Sequence, residues 1–253
     1  MNQAVREGTF LPGRPAAHGS LVDLLLAAEA ENPDRTHFRW PGGGHMTVGR
    51  LADRARRWAS VLAEHGVGRG DRVALVCGNS TDFVALQFAT YMRGAVEVPV
   101  NAELRGTLMQ RILADADPTL IVVDEAIADA VAGHEPPGAI KLLLDERLGT
   151  QVAATEPLAD PVRPGVSDLA FILYTSGTTG PSKGVMLQHG YLPNMAATWI
   201  SATGLADGDG VYFPAPFFHV DAHVMNAICL MTGATFGFAQ RFSVGRFWAE
   251  AAD

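Results

Sequence analysis

The sequence predicts an α/β protein with doubly wound, mostly parallel sheets flanked by helices. Three observations carry the prediction. Between residues 72 and 144, short β-branched runs alternate with stretches of helical periodicity, and strand and helix in turn close into a parallel sheet covered on both faces. The same alternation returns after residue 169, beginning with two strand runs around a loop of small residues. Hydrophobic residues are 48% of the 253 and charged ones 18%, enough apolar surface for a large core.

Ser20 to Ala30 reads as a short helix, with Ser20 as N-cap, Leu21, Leu24, Leu25 and Ala28 along one face, and Asn32-Pro33 as its stop. Thr47 to His65 is a longer helix, because Val48, Leu51, Ala52, Ala55, Trp58 and Leu62 recur at helical spacing and Gly66 ends the pattern. Strands follow at Arg72 to Cys77, Ala95 to Val100, Thr119 to Val123 and Ile140 to Leu144, with helices between them at Thr81 to Met92, Glu103 to Ala116 and Glu125 to Ala132. Glu97 interrupts an apolar strand, which predicts one end or face of that strand near solvent. Arg147 to Ser167 is rich in Pro, Ala, Thr and Gly without apolar periodicity and reads as a linker. It divides a first α/β subdomain, 1–166, from a second that begins at 167. There, Leu169 to Tyr174 and Val185 to Leu187 read as a strand hairpin, followed by a helix at Tyr191 to Ala202 with Pro193 in its first turn. A strand at Val211 to Phe213, a helix at Asp221 to Met231 and a strand at Ala234 to Ala239 complete the pattern. A last helix starts at Ser243, with Phe247 and Trp248 expected to face inward.

The residues that carry chemistry lie in the hairpin. Thr175-Ser176-Gly177-Thr178-Thr179-Gly180-Pro181-Ser182-Lys183-Gly184 contains only glycine, small hydroxyl side chains, one proline and one lysine. Glycines let the backbone curl until several N–H groups point at one anion; hydroxyls add neutral donors and Lys183 a mobile positive charge. Gly, Ser and Thr also fill ordinary loops, but no acidic residue occurs from Leu169 to Leu187 to repel a polyphosphate. Lys183 is followed by Gly184 and the next run is a strand, so the loop is not of the Walker A kind.

The run Tyr174 to Val185 closely resembles the phosphate-loop signature of the adenylate-forming superfamily, which includes acyl-CoA synthetases, aryl-CoA ligases and peptide-synthetase adenylation domains. Arg93-Gly94-Ala95-Val96-Glu97-Val98-Pro99-Val100-Asn101 resembles the family's upstream Gly-Ala-x-x-x-Pro segment, and Pro214-Ala215-Pro216-Phe217-Phe218-His219-Val220 the Pro-x-x-His stretch beside the acyl pocket. The resemblance implies the fold of the large N-terminal domain of such enzymes, incomplete here. It also implies a reaction in which a small-molecule carboxylate attacks the α-phosphorus of Mg-ATP and a thiol, usually coenzyme A, then takes the acyl group. ATP, Mg2+ and coenzyme A are the implied cofactors. Carried over, Thr175, Ser176, Thr178 and Thr179 would bond phosphate oxygens, Gly177 and Gly180 would allow close approach, and Lys183 would counter the charge of pyrophosphate. His219 would lie between the adenylate and the acyl or pantetheine channel, with a backbone-bonded histidine at a strand-to-helix junction as its plain alternative. Phe217 and Phe218 would line the acyl pocket or belong to the core.

Complete members also carry an aromatic-Gly-x-Thr-Glu segment for adenine and Mg2+, a ribose-binding aspartate and a lysine on a carboxy-terminal domain. Tyr91, Tyr174, Tyr191 and Tyr212 are followed by Met, Thr, Leu and Phe, never Gly. The chain is therefore expected to be a piece of a longer ligase, inactive alone, with an apolar flank at its last helix that points either to self-association as a homo-oligomer or to missing partner structure. An amino-acid adenylation domain and a non-catalytic nucleotide-binding or interaction module are the alternatives.

A formal charge of −8, from 19 basic and 27 acidic residues with no basic stripe, argues against nucleic acid as a partner. No apolar run is long enough to span a membrane and Met1 to Arg14 lacks a secretory core, so the expected compartment is the cytoplasm. Cys77 and Cys229 sit in apolar segments and read as buried thiols. His219-x-Asp221-x-His223 offers no helical ligand face with a third partner, so no metal site is assigned.

Overall fold

The computed structural model of the chain describes residues 19–175 and 182–252. Its elements run α1 (Leu21–Glu31), β1 (Thr36–Trp40), β2 (Gly44–Thr47), α2 (Val48–Glu64), β3 (Arg72–Val76), α3 (Thr81–Met92), β4 (Val96–Pro99), α4 (Thr107–Ala116) and β5 (Leu120–Asp124). After a 3-10 helix at Glu125–Ala130 come β6 (Ile140–Leu144), α5 (Glu146–Ala154), β7 (Leu169–Thr175), β8 (Lys183–Gln188), α6 (Tyr191–Thr203), β9 (Gly210–Phe213), α7 (Val220–Thr232), β10 (Thr235–Phe238) and α8 (Phe247–Ala252).

These residues form two compact units, and the chain passes between them more than once. Asp53–Pro164 and Asp168–Gln188 make one; the residues up to Ala52, 165–167 and those from His189 onward make the other. The grouping does not follow the expected division at 166/167. The reason is strand pairing: β7 adds in parallel to β4 and carries its hairpin partner β8 with it, while β1 pairs in parallel with β10.

The first unit is built on a six-stranded sheet of order β6-β5-β3-β4-β7-β8, parallel except for β8. Ala74, Val76, Val98, Ile121 and Val123 of the strands pack with Met109, Ile112, Leu113 and Ala116 of α4. Residues Phe83 to Met92 of α3 are buried in full, and Ser80 caps that helix by accepting from the Phe83 amide. Trp58 is fully buried, and its indole donates to Asp82 at 2.9 Å, beside the Arg54–Asp82 ion pair at 2.7 Å. Such packing requires β-branched strands buried on both sides, as the sequence pattern predicts.

Glu97 departs from expectation. It is completely buried, accepting from the Tyr91 hydroxyl at 2.6 Å and the Gln87 amide at 3.3 Å. A buried carboxylate is tolerated when donors replace its water, and α3 supplies two of them. Residues 147–167 are not wholly a linker either: α5 occupies their start, with the Asp145 carboxylate accepting from the Leu148 amide at 2.7 Å and Leu148 and Val152 buried. Two apolar residues four apart gave too little periodicity to see.

The second unit holds a four-stranded sheet of order β2-β1-β10-β9. Its β1–β2 hairpin was not expected from sequence, although Gly42 and Gly43 between the two strands both take positive φ, as tight hairpin turns require. Phe38, Phe217, Phe236 and Phe238 form an aromatic cluster with ring centroids 5.1 to 5.8 Å apart along its contacts. Ser20 closes a capping box with Asp23 at the start of α1. Trp248, expected inside, is 80% exposed, because α8 begins only at Phe247 and it is Phe247 whose ring packs on Tyr212. Both cysteines are buried and free.

Candidate functional site

The β7–β8 pair brings two of the expected phosphate ligands together. Thr175 and Lys183 are direct cross-strand partners at the loop end of the hairpin, and both are exposed. Residues opposite one another in an antiparallel pair share a face, so hydroxyl and ammonium point the same way. Ser176, Gly177, Thr178, Thr179, Gly180 and Pro181 lie outside the described residues. From Ser182 to Gln188 no acidic side chain occurs.

Alternation along β7 turns Tyr174 to the other face, where it and Ile172 pack against the cluster containing α4. The Tyr174 hydroxyl donates to the Asp115 carboxylate of α4 at 2.6 Å. Partial burial, then the bond to Asp115 and its charge, push the phenol well above its ordinary range. Tyr174 lies opposite Gly184, and a Cβ at Gly184 would stand 2.8 Å from Ile172 Cγ2 and 3.2 Å from the Tyr174 ring. The glycine is what lets the ring cross its neighbour. Sequence reading did not single out Tyr174, Asp115 or Gly184 as a group. The available signal was a glycine inside a strand run, which marks close approach but not what approaches.

His219 is the N-cap of α7, in extended backbone conformation, and its side chain makes no capping bond. The imidazole is exposed and lies against the Phe218 ring, centroids 4.2 Å apart. Its carbonyl accepts from the Ala222 amide and faces Nδ1 of the buried His223 at 3.2 Å. Phe217 is buried in the aromatic cluster, whereas Phe218 is half-buried.

Two further places meet general expectations for ligand sites. The six-stranded sheet reverses its strand order between β3 and β5, where open α/β sheets often bind ligands. There the Asp124 carboxylate accepts from the Gly78 amide at 2.7 Å, ahead of α3. Burial raises Asp124 against the bonds from Gly78 and Cys77, and burial together with Asp124 raises the Cys77 thiol well above its usual value. A carboxylate so placed opposes an anion, and a protonated thiol is a poor nucleophile. In the other unit a cleft of about 540 Å³ is lined by Arg39, Trp40, His45, Asp209, Tyr212 and Glu250, among others. Tyr212 donates to Glu250 at 2.6 Å, and burial, then that bond, pushes it up to about 12. This cleft contains none of the phosphate-loop residues.

Among the described residues no helix is long and apolar enough to cross a membrane, and no group of three or more His, Cys, Asp or Glu could hold a metal ion.

Residues 25–253 match the family model described as AMP-binding enzyme. The chain is 34% identical over 213 residues to a long-chain-fatty-acid–CoA ligase of Mycobacterium tuberculosis, covering 81% of this chain and 42% of that protein. It is 30% identical over 247 residues to the sulfoacetate–CoA ligase of Cupriavidus necator, covering 94% of this chain and 48% of the relative. Among solved structures it is similar to the inhibitor-bound N-terminal domain of FACL13 from Mycobacterium tuberculosis, with TM-score 0.85, 29% identity, and 92% and 60% of the two chains covered. ATP-bound MatB from Rhodopseudomonas palustris superposes with TM-score 0.82 at 28% identity, over 91% of this chain and 48% of the other. The chain thus spans less than half the length of these curated relatives.

Proposed function

This chain belongs to the family of AMP-binding enzymes, and we propose that it is the amino-terminal part of an ATP-dependent, AMP-forming carboxylate–CoA ligase. The observation that carries the reading is the Thr175–Lys183 pair at the mouth of an acid-free hairpin, in a chain whose similarity to CoA ligases extends over most of its length.

In the proposed reaction a carboxylate oxygen attacks the α-phosphorus of ATP and the bond to pyrophosphate breaks. The thiol of coenzyme A then attacks the acyl carbon and AMP departs. The carboxylate is already a nucleophile, so the protein's task is positioning and charge neutralisation. Thr175 donates its hydroxyl to a phosphate oxygen and Lys183 offsets the charge on the departing pyrophosphate. Ser176, Gly177, Thr178, Thr179 and Gly180 extend the same donor series by their sequence. An exposed hydroxyl and ammonium sharing one face fit a phosphate group. Mg2+ would accompany the triphosphate as its counter-ion; no described residue is assigned to it. His219 is proposed to border the path of the acyl group, since its imidazole is exposed and makes no cap bond. The remaining parts of the reaction belong to segments of the parent enzyme beyond this match, including a carboxy-terminal domain, and this chain alone is proposed to be inactive.

Carboxylate-dependent exchange of pyrophosphate into ATP is the test, run on the full-length protein over fatty, aryl, sulfonated and amino acids. Exchange with one class of acid supports the reading and names the substrate. Exchange with none, while ATP still binds, would replace the ligase with a nucleotide-binding module.

A further inference from the structure

The hairpin that presents Thr175 and Lys183 is weakly held by its own sheet. β8 is the edge strand, and Lys183, Gly184, Val185 and Met186 are all exposed, the last at 70%. An edge hairpin with one solvated strand is held by few buried contacts, and the ligand pair stands where its two strands pass into the connecting loop. Yet the residue immediately before Thr175 is fastened. Tyr174 crosses Gly184, reaches α4 and donates to Asp115 at 2.6 Å. The tether joins the loop end of the hairpin to a helix anchored in the core through Met109, Ile112, Leu113 and Ala116.

We infer that Tyr174 and Asp115 are positioning residues for phosphate binding: their bond holds the β7 end of the hairpin against α4 and thereby fixes Thr175 and Lys183 relative to the phosphates. This deepens the function proposed above and rests on it. Neither side chain touches the ligand, since alternation points Tyr174 away from the face that carries Thr175 and Lys183. Gly184 belongs to the same device, because any side chain there would displace the Tyr174 ring or Ile172. A small looseness in a phosphate-binding pair is costly, as affinity and rate both depend on sub-ångström placement.

The test uses this chain with Tyr174→Phe, Asp115→Ala, Asp115→Asn and the double variant Tyr174→Phe/Asp115→Ala. Phe keeps the ring and its packing, and Asn keeps an oxygen that accepts from the phenol. Two readouts are needed: hydrogen exchange of the backbone amides of residues 172–175 and 183–186, with β3 and β5 as internal reference, and affinity for magnesium pyrophosphate by calorimetry. The expected result is exchange about fivefold faster at the hairpin mouth in Tyr174→Phe and Asp115→Ala, with pyrophosphate affinity lowered by a similar factor and the reference strands unchanged. Asp115→Asn should stay within about twofold of the parent chain, and the double variant should be no worse than either single. Unchanged exchange in Tyr174→Phe, or additive effects in the double variant, would overturn the tether. Looser exchange with unchanged affinity would reduce Tyr174 to a structural residue and overturn its positioning role. If the parent chain failed to bind pyrophosphate while the exchange pattern held, the phosphate reading would fall and the tether would stand.

Discussion

Lys183 stands exposed at the hairpin mouth, opposite Thr175, so its ammonium can meet a phosphate without first being stripped of water by burial. A charge-assisted bond of this kind contributes about 1.5–3 kcal/mol. Lys183→Ala should lower affinity for magnesium pyrophosphate by about ten- to a hundredfold while leaving the thermal midpoint in place, and a titration beside a melting curve checks both. Glu97 works in the opposite sense. It is fully buried and depends on its donors, and burial, reinforced by the Glu97 charge, keeps the Tyr91 phenol protonated to well above its ordinary range. Tyr91→Phe removes one donor from a carboxylate that cannot reach water, at a cost of about 1–3 kcal/mol. Urea denaturation should show that loss as an earlier midpoint; an unchanged midpoint would mean the carboxylate had found another donor.

At the scale of elements, caps decide where several helices begin. Ser20, Ser80 and Asp145 each accept a backbone amide three residues on. For α5 the cap matters most, because only Leu148 and Val152 bury it. Asp145→Ala should therefore destabilise the chain by about 1 kcal/mol, with faster amide exchange confined to residues 146–154. Exchange spread evenly over the unit would show that the cap does not act locally. Ser20 was legible, since it precedes a long apolar pattern; Asp145 was not, because its helix presents almost none. The β1–β2 hairpin escaped for a related reason. Thr36–Trp40 mixes His37, Phe38, Arg39 and Trp40, and the burial of both His37 and Phe38 is set by neighbours far along the chain, including Asn226, which lies 2.7 Å from His37 Nε2.

For the molecule as a whole, the interior thiols set an alkaline limit. Burial pushes Cys229 up to about 12 from an ordinary 9.0, against a smaller opposing effect of Arg35, and Cys77 is raised as well. Below pH 9 the thiol is protonated in both folded and unfolded chains. Between pH 9 and 12 the unfolded thiol ionises while the folded one stays protonated, so stability is lost as pH rises through that window. The urea midpoint should fall over this range, and less steeply in Cys229→Ala; parallel slopes for the two proteins would contradict the assignment.

The sequence by itself determined the α/β class, most strands and helices between residues 72 and 144, and the hairpin that follows 169. Each of these rests on local pattern, period or composition within a few tens of residues. Only tertiary structure decided how the chain is shared between two units, which depends on β7 joining β4 and β1 joining β10 across long separations. It also decided the interior position of Glu97 and the Tyr174–Asp115 bond, whose partners are 59 residues apart. Strand order and side-chain partners over such distances follow from which surfaces are left to bury once local elements have formed, and no local pattern records that choice.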